Sequence, residues 1–495
     1  MITQDNPLRI RSARLSRLSR IQTMALLGLL LGACGSHRLA DGLATRPAPT
    51  AWITSTAWLT TTMMPTPAAA FASGTPLSTV TVGATQEPEP TPPPATNGVP
   101  IEHLRPGESV TINETYMIDA SAGWAIGGRD NTRNHVLRTL DGGETWLDVT
   151  PPELPSAEAA EAGVDEYVRG FFLDIAHAWV FYKAVFFTEV EPPTLWRTSD
   201  AGQSWTPTLA PSRDLGPNYF HNLFFVDERL GWLMADHDIA AGTAITDVFH
   251  SADGGGTWEA LQAPDRAPGE GTRSSCNAPT YVAFADSQTG WMLNNCLDDV
   301  PSLWQTEDGG ATWQYLEVPR PGDRLFCQAN SLPVFFTPQF GAFALLCTDA
   351  SGVWQAAYVY RTTDGGRTWE QRLLPKPPLP ELTATYYSSR FTEVEFVDSE
   401  VYWAIITDAG GEIQPEFSYV QSYLTYLYQS TDGGRSWINV KRMTWAGQFS
   451  FVDESTGWAV ARAPLDESTG ERAAALVKTS DGGRTWQEIR PVIAP

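Results

Sequence analysis

The sequence predicts an all-β protein, a single seven-bladed β-propeller with four-stranded blades, and three observations predict it. An octapeptide of the form Ser/Thr-x-Asp-Gly/Ala-Gly-x-Ser/Thr-Trp occurs seven times. A second pattern runs ahead of the copies, with Phe-x-Asp before five of them and Gly-Trp before four. The chain also carries 19 Trp and 41 Gly in 495 residues, a composition suited to many short strands joined by tight turns. Length alone would suggest several domains, but a recurring internal period overrides that prior.

The N-terminus reads as an address. Arg9, Arg11, Arg14, Arg17 and Arg20 precede the apolar run Met24 to Leu31, and Gly32, Ala33 and Cys34 follow it. A basic segment, a short apolar segment and small residues make a secretory signal. The run is too short to cross a bilayer as a helix. Residues 1–33 are therefore expected to be a signal peptide. Leu31-Gly32-Ala33-Cys34 resembles the lipobox of bacterial lipoproteins. That resemblance implies a lipid on the Cys34 sulfur, attachment to the membrane through it, and a place on the extracytoplasmic face of a bacterial membrane. Residues 34–108 are poor in charge and rich in Pro, Thr and Ala, so they cannot bury a core and are expected to form a disordered tether. The propeller is expected over 109–495.

In chain order the octapeptides place Asp141, Asp200, Asp253, Asp308, Asp364, Asp432 and Asp481 five residues ahead of Trp146, Trp205, Trp258, Trp313, Trp369, Trp437 and Trp486. The aspartates recur 49 to 68 residues apart (481 − 432 and 432 − 364), enough for four short strands and their turns. An Asp carboxylate accepts backbone N–H groups ahead of it and closes an Asx-type turn. The Ser/Thr hydroxyls add local hydrogen bonds, and the Trp ring buries apolar area. Catalysis needs one special site, whereas this constellation stands in every repeat, so its role is structural. Each unit reads as strand A (Phe-x-Asp), strand B (the Gly-Trp run), strand C ending at the octapeptide, and strand D after its Trp.

The octapeptide closely resembles the Asp-box (BNR) repeats of sialidase-type propellers. The whole blade looks most like the photosystem II assembly and stability factor family, over residues 110–492. The resemblance implies a non-catalytic binding or assembly scaffold with a protein partner or membrane complex. The alternative is a sialidase-like glycoside hydrolase acting on extracellular glycans. Such an enzyme needs an arginine cluster, a Tyr–Glu pair and an acid/base Asp. The Arg-Ile-Pro signature is missing, and Arg105-Pro106 is a poor substitute. Xyloglucanase-like enzymes share the octapeptide but use two facing propellers.

A net charge of −24 argues against nucleic acid, since binding phosphates needs clustered Lys and Arg. No phosphate loop, dinucleotide fingerprint or metal-binding motif occurs, so no cofactor is assigned, and a monomer is expected. After Cys34, the pairs Cys276, Cys296 and Cys327, Cys347 each bracket strands A and B of one blade. Disulfides Cys276–Cys296 and Cys327–Cys347 are expected, with a four-cysteine metal site as the competitor. Antiparallel strands put A–B and C–D turns on one face and B–C and D–A connections on the other. The long connections fall on the second face, including a B–C excursion from Ala409 to Tyr423. Asp130, Asp236, Asp238, Asp298, Asp299, Asp349 and Asp408 follow strand B and are expected on that face as an acidic ring. Tyr386, Tyr387, Phe417 and Tyr419 are candidate aromatic contacts there.

Overall fold

A computed structural model describes residues 99–100, 102–129, 132–154, 166–184, 194–211, 219–240, 243–261, 272–274, 280–294, 302–322, 325–329, 333–349, 354–378, 386–413, 419–463 and 474–495. The expected signal peptide, Cys34 and all but the end of the expected tether lie outside these residues, as do Asp130, Cys276, Cys296, Asp298, Asp299 and Phe417.

Seven four-stranded antiparallel blades follow one another along the chain. Their inner strands, A, are Thr111–Met117, Glu166–Phe172, Tyr219–Phe225, Thr280–Phe284, the pair Phe326–Ala329 and Val334–Phe335, Tyr386–Phe396, and Ala446–Phe451. Blade 5 departs from the expected single A strand. Both of its pieces pair with strand B, Gly341–Thr348, and Pro333, which has no N–H to give a ladder, precedes the second piece. The ring closes outside the repeats. Val492–Ile493 adds in parallel to strand D of blade 1, Thr145–Asp148, and Ile493 packs with Leu104, Val110 and Trp146 in one buried cluster.

The octapeptides form the C–D turns. In all seven, the leading hydroxyl donates to its Asp at 2.8–2.9 Å and accepts the second Gly N–H at 2.8–2.9 Å. The same carboxylate accepts the backbone N–H four residues on at 2.8–2.9 Å and that residue's hydroxyl at 2.6–2.8 Å. These aspartates are consumed by their own turns. The Thr485 hydroxyl and N–H hold the Asp481 carboxyl down to about 2. A depressed acid stabilises the fold above the ordinary value of 3.8 and stops doing so as pH falls toward about 2. Ala201 takes a glycine position in blade 2 at φ 64°, the one positive-φ residue other than glycine among the described residues.

The two conspicuous motifs meet across blades rather than within one. In blades 2, 3, 4 and 6 the strand B Trp stacks on the Phe that ends strand A of the next: Trp179 on Phe225 at 3.7 Å, Trp232 on Phe284 at 3.7 Å, Trp291 on Phe335 at 3.2 Å, and Trp403 on Phe451 at 3.8 Å. Several of these indoles also donate to a glycine carbonyl in the next blade's octapeptide: Trp179 to Gly254, Trp291 to Gly365, and Trp458 to Gly142 across the closing seam. Close approach explains the Gly of Gly-Trp. A Cβ on Gly290 would sit 2.5 Å from the Phe284 ring, and one on Gly341 would sit 2.4 Å from Phe335.

Candidate functional site

The described residues of the expected acidic ring stand in strands B or directly after one, not on long loops. Asp408 is fully buried within strand B of blade 6, Tyr402–Ile413, beside Arg390 at 3.9 Å. Most of the excursion expected from Ala409 to Tyr423 is strand: B and C pair without a break from Tyr402↔Ser430 to Ile413↔Tyr419, and 414–418 lie outside the described residues. Tyr386 and Tyr387 belong to strand A, opposite Glu412 and Gly411, and Tyr419 opens strand C. Asp236 and Asp238 likewise lie inside strand B of blade 3, Gly231–Ala240. Asp349 is partly buried and accepts the Gln355 side-chain amide at 2.7 Å. The strands run further than local turn signals indicate, because register continues wherever both partners keep hydrogen bonding. Cys327 and Cys347 are direct cross-strand partners, bonded at 2.07 Å and with no solvent exposure.

Polar groups meet instead at the seams between blades 6, 7, 1 and 2. Glu114, on strand A of blade 1, accepts the Tyr116 hydroxyl at 2.6 Å. Arg133, on the B–C connection of blade 1, lies 3.6 Å from the same carboxylate, and Arg169, on strand A of blade 2, lies 3.9 Å away. Glu114 keeps 14% of its side-chain surface exposed, and the arginines keep 27% and 25%, so the group stays within reach of solvent. Burial, then the Glu114 charge, push the Tyr116 hydroxyl well above its ordinary range. Tyr116 therefore keeps its proton as a donor that orients Glu114, and it is no candidate for attacking a substrate.

Neighbouring seams continue the pattern. Gln448 of blade 7 accepts the Thr115 N–H at 2.9 Å and donates to the Thr115 carbonyl at 3.0 Å. Arg462 reaches the Asn113 carbonyl at 3.2 Å. Glu395 of blade 6 accepts the Phe451 N–H at 3.1 Å, while Glu393, two residues earlier on the same strand, is only partly buried. The corresponding inner strands of blades 3 to 5 bury Phe220, Leu223, Phe224, Tyr281, Val282, Cys327 and Val334. Among the described residues, the charged side chains of the inner strands thus stand in blades 6, 1 and 2.

Glu395 carries a pH signature. Burial, then the charge of Glu393, raise its carboxyl well above the usual range, so the folded state holds the proton. A raised acid contributes stability below its unfolded value of about 4.3 that is lost as pH rises through the folded value. Glu395→Gln, which keeps the acceptor for Phe451, should flatten this loss, by up to about 1.4 kcal/mol per pH unit inside that window. Urea midpoints of both proteins between pH 5 and pH 9 check it; parallel curves would show that Glu395 is not protonated.

Nothing in the octapeptide pattern points to Glu114, Arg133 or Arg169. The repeats give one usable signal: Glu114, Glu393 and Glu395 put acids into inner strands that carry none in blades 3, 4, 5 and 7.

Fold and site together define a seven-bladed propeller with a polar inner arc and partly open Arg and Glu side chains. No model of a known protein family matches the chain. By sequence it is similar to the xyloglucanase Xgh74A of Acetivibrio thermocellus, 24% identical over 254 residues, which cover 48% of this chain and 28% of that enzyme. The match therefore spans less than a third of the relative's length. Among solved structures, the GH74 xyloglucanase from Xanthomonas campestris aligns with a TM-score of 0.39 and 11% identity, covering 78% of this chain and 68% of that one. A PL25 ulvan lyase aligns with a TM-score of 0.42 and 10% identity, covering 78% and 97%. The expectation of a non-catalytic assembly scaffold is corrected by the sequence relative, which is a glycan-degrading enzyme. The repeated turns that suggested an assembly factor are scaffold, so they carry no information about activity.

Proposed function

We propose that the chain is a glycoside hydrolase acting on an extracellular glycan, with its site on the inner arc of blades 6, 7, 1 and 2. The observation that carries this reading is the convergence of Arg133 and Arg169 on the Tyr116-oriented carboxylate of Glu114. Guanidinium and carboxylate groups match sugar hydroxyls in geometry, and a fixed carboxylate is what glycosidic cleavage needs. Similarity to a xyloglucanase supports the same class. A chain of net charge −24 repels polyanions, so a neutral polysaccharide fits better than an acidic one. The signal segment and Cys34 support a lipid-anchored enzyme outside the cytoplasm, held off the membrane by its tether.

Cleavage calls for one carboxyl that protonates the leaving oxygen and a second that acts as base or nucleophile. Among the described side chains of these inner strands, Glu114 and Glu393 are the carboxylates that retain solvent access, and we assign them these two parts; Glu395 is buried against Phe451. The test is release of reducing ends from soluble xyloglucan, arabinan and xylan, with a fluorogenic sialoside alongside. Glu114→Gln and Glu393→Gln should each lower kcat about 10²–10⁴-fold. Full activity in either variant removes that residue from the assignment. A chain that neither cleaves nor binds any of the polysaccharides is not a glycan enzyme, and sialoside turnover abolished by Arg169→Ala would redirect the reading to acidic sugars.

A further inference from the structure

We propose that the seam between blades 5 and 6 is an ionic joint of the ring, which loosens as salt rises while the seams clamped by Trp and Phe stay closed. Blade 5 carries Ala342 at the strand B position that holds Trp124, Trp179, Trp232, Trp291, Trp403 and Trp458 in the other blades. Its neighbour makes the complementary change. Tyr402 of blade 6 stands opposite Phe396, in the register position that Gly holds in five blades. Without an indole to stack on, Phe396 meets the Tyr402 ring edge to face at 4.9 Å and 84°, and Ala342, Phe396 and Tyr402 share one buried cluster. The Tyr402 ring lies 3.4 Å from where a Cβ on Gly434 would be. At the preceding seam Trp291 takes that place, its indole nitrogen 3.2 Å from the equivalent point at Gly366. One blade lacks a ring and the next supplies it.

The polar half of the clamp is exchanged as well. The first Gly carbonyl of an octapeptide accepts an indole N–H at Gly254, Gly365 and Gly142, but Gly433 accepts Arg372 Nη1–H from strand D of blade 5 at 2.6 Å. Arg361, from strand C of blade 5, donates to Glu400 of blade 6 at 2.7 Å, and Arg372 also pairs with Glu370. The hydrogen bond from Arg372, against a smaller cost of burial, holds the Glu370 carboxyl below its ordinary value, and the charges of Arg435 and Arg361 add to this. Both buried guanidinium groups are thus held by carboxylates that face water, since Glu370 and Glu400 keep 59% and 47% of their side-chain surface exposed. Salt screens such pairs, whereas it does not screen two stacked rings. Cationic side chains cross other seams, Arg197 to the carbonyls of Asp253 and Gly254 and Lys478 to that of Ala120, but there a strand B Trp stands beside them. Strand A of blade 6 bears Glu393, so motion at this joint moves one of the two assigned carboxylates. The joint stands without that role, and its test reads backbone protection, not activity.

Amide hydrogen exchange followed by mass spectrometry on the full chain tests the joint. Between about 0.05 M and about 1 M NaCl, protection of Glu370–Leu373 and 397–403 should fall about fivefold, while Gln314–Leu316 and 336–342, at the seam clamped by Trp291, should change less than about twofold. Glu370→Gln with Glu400→Gln should show the lower protection already at low salt, with less than about a twofold further fall on adding NaCl. A second arm tests the exchange of rings. Tyr402→Gly should lower the urea midpoint, and adding Ala342→Trp should recover about half of the loss or more. Protection at the joint that ignores salt, or that falls equally at the Trp291 seam, overturns the proposal. So does an Ala342→Trp addition that lowers the Tyr402→Gly midpoint further. If Tyr402→Gly does not fold, the exchange measurements on the wild type and the Gln variant decide.

Discussion

Replacing Trp291 by Ala should cost about 4 kcal/mol of unfolding free energy, the largest loss expected from any single residue in the ring. Its side chain is fully buried, stacks on Phe335 at 3.2 Å between ring centres, and donates to the Gly365 carbonyl at 2.9 Å. Truncation therefore opens a cavity at the seam of blades 4 and 5 and leaves a buried carbonyl without its donor. Denaturant unfolding of Trp291→Ala, Phe335→Ala and the double variant measures both terms. The pair should couple by about 1 kcal/mol, because each ring presents its face to the other. Ile438→Ala, at a side chain 64% exposed, is the control and should stay within about 0.5 kcal/mol. A Trp291 loss as small as the control's would mean that the seams do not hold the ring together.

Removing the Cys327–Cys347 bridge as a pair of alanines should cost about 3 kcal/mol. The bridge closes a loop 20 residues apart in sequence, and restricting a loop of that length in the unfolded chain has this size of effect. Both cysteines belong to the buried cluster that includes Trp291, Phe335 and Phe343, so lost sulfur packing adds to the entropic effect. Blade 5 is where the inner strand comes in two pieces, and the bridge ties the first piece to strand B. Midpoints of the double variant, and of the native protein with and without reductant in the unfolded state, check the value. A change below about 1 kcal/mol would show that the interrupted strand is held by its ladder alone.

The fold was legible because the elements that build it are local and repeated. A turn that satisfies its own Asp, hydroxyl and glycine N–H groups within eight residues can be read from eight residues. Seven such turns at this interval fix the number of blades. The partnership between Trp and Phe was not legible, although both residues were conspicuous. Their contact joins neighbouring blades, and nothing in one repeat states which repeat it will face. Strand length was misjudged at Asp236, Asp408 and Tyr386 for a related reason. Polar residues and glycines there suggested loops, but pairing continues when a partner strand supplies the hydrogen bonds, whatever the side chains prefer.

The sequence by itself determined the seven-bladed ring, the four strands of each blade and the turn face, since each follows from interactions a short segment makes with itself. Tertiary structure decided which charged side chains meet. Glu114, Arg133 and Arg169 come from two inner strands and a connection, and Glu393 stands on another inner strand most of the chain away. The Glu114 contacts form when blade 2 packs on blade 1, whereas those of Gln448 and Arg462 with strand A of blade 1 exist only once the ring closes, because their partners lie more than 300 residues away in sequence.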